Sequence, residues 1–138
     1  MRYLYIFIIL ISTVIVAQAQ GHSGHGGSET HNEPPHGGEI RNIGRYKLEI
    51  VINKLSAEEK LNIYILKESM RMANLKDATG TVTFIYSDGR QIKKDLINSD
   101  SEKLYCNVEE IQNGFIAIIT IKYKRKEFKC EYVYEGIK

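Results

Sequence analysis

An all-β fold, a two-sheet sandwich of immunoglobulin-like type with about seven strands, is predicted by three features of this chain. Beyond Gly38 the sequence runs as short alternating segments of apolar and polar residues, rich in β-branched and aromatic side chains. Turn signals separate those segments, the clearest being Ser87-Asp88-Gly89-Arg90 and Asn113-Gly114. No long stretch has helical periodicity, and Ala57 to Lys60 would form one turn at most.

Taken in order, Arg45 to Asn53 places Tyr46, Leu48, Ile50 and Ile52 on one face. Leu61 to Leu66 alternates Leu61, Ile63 and Ile65 against Asn62, Tyr64 and Leu66. Thr81 to Tyr86 and Gln91 to Ile97 flank the Asp-Gly turn, and Lys103 to Val108 is a fifth strand. Phe115 to Tyr123 follows Asn113-Gly114, and Glu127 to Tyr134 closes the set. The basic run Lys122, Lys124, Arg125, Lys126 falls where these last two strands meet and reads as a solvated hairpin tip. Tyrosines suit such a core, because a ring fills volume while its hydroxyl reaches the surface.

Three regions are expected. Residues 1–19 begin with Arg2, continue as an apolar run from Tyr3 to Val16 and end in Ala17-Gln18-Ala19, the layout of a cleaved secretory signal peptide. The run is shorter than the roughly 20 residues a membrane span needs, so cleavage after Ala19 with no later span is expected, a retained anchor being the alternative. Residues 20–38 form a His/Gly-rich tail without apolar content, expected to be disordered because it cannot bury enough surface to offset its ordering entropy. Residues 39–138 form the sandwich domain. Export implies a periplasmic or secreted location. Loss of Arg2 lowers the formal charge from +2 to +1, so no field suited to a nucleic-acid partner remains.

All four histidines, His22, His25, His31 and His36, lie among the Gly, Ser and Pro of the tail. Imidazole is the commonest ligand of transition metals, and here it stands outside any apolar run, the alternative reading being a solubilising low-complexity tail. The expected cargo is copper or zinc, with nickel, cobalt and silver as further options. Cleavage after Ala19 would also create Gln20-Gly21-His22, whose amine, amides and imidazole can form a square-planar site for Cu(II) or Ni(II). Met70 and Met72 place two thioethers on one side of an extended segment and suit Cu(I), or else cover the edge of the sandwich. Imidazole ligation predicts that metal binding weakens as pH falls below about 6.

Cys106 and Cys130 are the only cysteines, and alternation turns both toward the interior. In an oxidising compartment an even pair first suggests a disulfide, closing a loop worth about 3 kcal/mol. Two buried thiols, or a metal-binding thiolate pair, are the alternatives.

Several blocks resemble a known family. They are Pro35-His36-Gly37-Gly38-Glu39-Ile40, Gly44-Arg45-Tyr46-Lys47-Leu48-Glu49-Ile50-Val51, Ile63-Tyr64-Ile65-Leu66 and Ala78-Thr79-Gly80-Thr81-Val82. Together they are similar to small exported heavy-metal-resistance proteins and to the matching domain of heavy-metal efflux-pump adaptors. The resemblance implies an exported β-sandwich that handles copper, silver, zinc or cobalt, with His36 and Glu49 as the ligands remaining in the domain. Lys47 stands where that pattern has a histidine, and an ammonium ion is no ligand at neutral pH. The expected function is therefore non-catalytic. The chain would capture, buffer or deliver a metal through His22, His25, His31 and His36, linked to an efflux system. The competing expectation is an adaptor module that binds another protein while the tail serves as a spacer. No Ser/His/Asp set, phosphate-binding loop or acid pair points to an enzyme.

Overall fold

A computed structural model describes residues 33–138 of the protein. The expected signal peptide, most of the expected tail, and His22, His25 and His31 lie outside the described residues. Nine strands follow one another: β1 (Glu39–Ile43), β2 (Tyr46–Ile52), β3 (Leu61–Lys67), β4 (Thr79–Tyr86), β5 (Gln91–Asp95), β6 (Ile97–Ser99), β7 (Lys103–Cys106), β8 (Asn113–Tyr123) and β9 (Lys126–Gly136). They build two antiparallel sheets, one in the order β1-β2-β3-β7-β6 and the other β5-β4-β8-β9. The described domain is the expected all-β sandwich.

Two of the nine strands were not anticipated. β1 is a short hairpin partner of β2, joined through Gly44 in the left-handed region (φ 67°) with Ile43 opposite Tyr46. β6 separates from β5 at Leu96, which is buried and donates its N–H to the Gly80 carbonyl at 2.8 Å. The chain changes sheets there, so the single strand expected over Gln91 to Ile97 is divided between the two layers. Asn98 fixes the far side of this crossing, its Nδ2 donating to the carbonyls of Leu75 (2.6 Å) and Ala78 (3.1 Å).

The core lies between the sheets, filled from one side by Leu48, Ile50, Ile63, Ile65 and Leu104 and from the other by Val82, Phe84, Ala117, Ile119 and Ile121. Each buried aliphatic or aromatic side chain of this kind contributes about 1.5–3 kcal/mol. Phe84 meets Phe115 edge-on, with centroids 5.1 Å apart at 87°, the arrangement that ring quadrupoles favour.

The outer face of β2 and β3 is also covered, and this positions the candidate site. Glu49, Asn62 and Leu66 point away from the core yet are buried. The β3–β4 connection folds back over Leu66: Ala73 donates to the Ile65 carbonyl at 2.8 Å, and Leu66 bridges Met72. The segment before β1 covers Glu49. His36 and Gly38 thus pack against β2.

Candidate functional site

The turn Pro34-Pro35-His36-Gly37 closes with the Gly37 N–H on the Pro34 carbonyl at 3.0 Å. Proline in its second position presets φ, and Gly37 takes the left-handed conformation (φ 71°) that lets the chain leave toward β1. Gly38 then passes so close to β2 that a Cβ there would stand 2.5 Å from the Ile50 carbonyl oxygen and 2.6 Å from Val51 Cγ2. Only glycine allows this approach.

That approach delivers three donors to one buried carboxylate. Glu49 Oε1 accepts the His36 backbone N–H at 2.6 Å and the Gly38 N–H at 3.1 Å, while Oε2 accepts from His36 Nδ1 at 2.8 Å. A carboxylate offers only acceptors, so Nδ1 carries the proton and Nε2 is the ring's remaining nitrogen. The ring lies flat on Tyr64, with centroids 3.7 Å apart and planes 6° from parallel. Tyr64 is opposite Glu49 in the β2–β3 register, which puts carboxylate, imidazole and phenol in one layer. Burial pushes the Tyr64 hydroxyl above its usual range, and the nearby Lys103 ammonium, itself paired with Glu59, pulls the other way.

His36 is about one-third exposed and borders an open cleft of about 460 Å³, shared with Met72, Asn74, Asp100, Ser101 and Glu102. A buried carboxylate on Nδ1 and an accessible face on the other side is the arrangement that orients a metal-binding histidine. Among the described residues no three His, Cys, Asp or Glu side chains converge as a ready metal cage. Glu49, expected as a ligand, spends both oxygens on the turn and is placed to orient His36 instead.

The other expected site residues are dispersed. Met70 and Met72 do not lie on one extended segment, because residues 67–70 form a turn: Met70 donates to the Lys67 carbonyl at 2.9 Å and has φ 63°. Met70 Sδ faces Lys47 Nζ at 3.5 Å, whereas Met72 borders the His36 cleft. The expected Cys106–Cys130 disulfide is absent, both cysteines being free. Cys106 lies on β7 opposite Leu61, and Cys130 on β9 opposite Ile119, in different sheets. Desolvation raises both thiols, Cys106 to about 11, so neither is poised as a thiolate ligand.

Sequence reasoning singled out His36 and Glu49 but gave Tyr64 and Gly38 no separate role. The outward alternation of Tyr64 beside Glu49 was the available signal. In comparison with known proteins, the chain matches no family model, and neither curated proteins nor solved structures show significant similarity to it.

Proposed function

We propose that this chain is an exported transition-metal-binding protein, which captures, buffers or delivers a copper- or zinc-type ion in connection with heavy-metal efflux. His36 is the fixed ligand, presenting Nε2, and His22, His25 and His31 supply the further imidazoles. The observation that supports this reading is the buried Glu49 carboxylate on His36 Nδ1, which holds the ring in a single tautomer and orientation on Tyr64. No reaction is part of the proposal.

Calorimetric titration of the chain from Gln20 with Cu(II), Ni(II) and Zn(II), and with Cu(I) under reducing conditions, tests it. His36→Ala is expected to lower affinity by about 10-fold or more, the range seen when a ligand's support is lost. Replacing His22, His25 and His31 together is expected to reduce it further. Binding unchanged by both sets of substitutions, or no binding by the parent chain, defeats the proposal.

An adaptor module is the second reading, and a particular surface favours it. Ile116 and Val133 face each other across β8 and β9 on the outside of the four-stranded sheet and remain exposed. Replacing all four histidines leaves partner binding intact under this reading and abolishes metal binding under the first.

A further inference from the structure

The two-residue turn between β8 and β9 is Lys124-Arg125, with Tyr123 opposite Lys126. Both turn residues have positive φ (48° and 63°), the type I′ geometry for which Asn-Gly is the favoured pair. Side chains with a Cβ are conformationally disfavoured there. The turn therefore keeps two cations where a better turn former would omit both.

Lys124 has a destination. Lys124 Nζ lies 5.7 Å from the centroid of Tyr46 and 5.3 Å from that of Tyr123. Tyr46 opens β2 beside Lys67 of β3, just after Arg45 of the β1–β2 turn. Two clefts of about 350 and 330 Å³ meet around this ring and share Arg45, Tyr46 and Glu68, with Lys47 lining one and both Lys67 and Lys124 the other. Four cations thus face a single carboxylate along one continuous trough. None of these four has a carboxylate partner within 4 Å among the described residues. The hydrogen bond of Lys47 Nζ goes to the Met70 thioether at 3.5 Å, a weak and uncharged acceptor.

We propose that this end of the sandwich is a docking site for an acidic, extended peptide segment of a partner protein. The cations come from separate turns and strand ends and are spread along the trough, which matches charge distributed on a chain. A compact oxyanion would instead call for convergent backbone or bidentate donors. The exposed large apolar side chains, Leu55, Met72, Ile97, Ile116, Val133 and Ile137, are not among the residues that line it, so it lacks the apolar anchor of a membrane-seeking surface. Tyr46 supplies a floor over which the carbon stems of a bound chain can lie.

The test is fluorescence anisotropy of a labelled poly-glutamate peptide with the full chain at low and physiological salt. The pair Lys124→Asn with Arg125→Gly suits the turn better, so it removes two charges without endangering the fold. It is expected to raise the melting temperature and weaken binding at least about tenfold. Arg45→Gln with Lys67→Gln is expected to weaken binding similarly. Lys93→Gln with Lys129→Gln, the same charge change on exposed lysines outside the trough, should leave affinity within about twofold. Equal losses in all three variants would reduce the effect to net charge and overturn the proposal. So would unchanged binding in the two trough variants, absence of binding by the parent chain, or binding to phosphatidylglycerol vesicles but not to the peptide.

Discussion

Replacing Glu49 with Gln separates an orienting carboxylate from a ligand, because the amide keeps the shape and reverses one hydrogen bond. Glu49 accepts from two backbone N–H groups, at 2.6 and 3.1 Å, and from His36 Nδ1 at 2.8 Å. In the variant the amide oxygen still faces the backbone donors, but its NH2 now faces the ring. Nδ1 must then accept, the imidazole proton moves to Nε2, and the nitrogen available to a metal is lost. Two backbone bonds fall from charge-assisted to neutral at about 1 kcal/mol each, and the ring bond weakens as well, so unfolding free energy drops by about 2–3 kcal/mol. For a domain of this size that lowers Tm by roughly 10 °C. Thermal unfolding followed by circular dichroism gives the stability, and long-range proton–nitrogen correlation spectra of the His36 ring give the tautomer. A variant that melts with the parent protein, or one in which Nδ1 keeps its proton, would refute the assignment of Glu49.

Gly38→Ala is expected to cost about 3 kcal/mol, because its Cβ would overlap the Ile50 carbonyl and force the turn off β2, whereas Gly37→Ala meets no atom and costs only about 1–2 kcal/mol for its left-handed backbone; chemical denaturation of both variants gives the order. Cys106, raised to about 11 by burial, is expected to resist thiol reagents at pH 8 in the folded protein and to react in denaturant, and reductant should leave the melting temperature unchanged; rapid labelling of Cys106 under native conditions would contradict this. Burial raises the hydroxyls of Tyr64, Tyr86 and Tyr132 above 10, so the folded state holds these protons longer than the unfolded chain. Their contribution is complete below the unfolded tyrosine value and is lost as pH rises beyond it, so stability should decline above about pH 10. Absorbance titration of the phenols, native against denatured, checks the direction.

The layers of the sandwich were legible because alternation is a local signal. Leu48 and Ile50, Ile63 and Ile65, Leu104, Cys106 and Val108 all point inward as their spacing requires. The sheet change at Leu96 was not legible as such: the alternation of Gln91 to Ile97 already breaks at Lys93-Lys94 and Leu96-Ile97, and it is the pairing of Leu96 with Gly80 that shows where the chain crosses. The site was half legible. His36 and Glu49 were identifiable by residue type, but their division of labour depends on a turn that composition alone assigns to a disordered tail. Gly37 and Gly38 read as flexibility in sequence and act as steric permission in the structure. The methionines fail for a related reason, as the left-handed backbone at Met70 breaks the extended segment that would have aligned them. The cysteines alternate inward as expected but belong to different layers, a matter of topology that spacing does not carry.

The order of strands within each sheet has a kinetic consequence. Most pairings join strands adjacent in sequence, and only β3 with β7 and β4 with β8 require distant segments to meet. Hairpins form in about 1–10 μs, so the slow step in folding should be the loop closure that brings these two pairs together. Ile63, opposite Leu104 at the β3–β7 seam, then belongs to the folding nucleus, and Ile43 at the β1–β2 hairpin does not. Stopped-flow measurements should find that Ile63→Val mainly slows folding while Ile43→Val mainly speeds unfolding. The opposite pattern would place the barrier within the hairpins and make the N-terminal edge, with its histidine turn, an early rather than a late part of the folded domain.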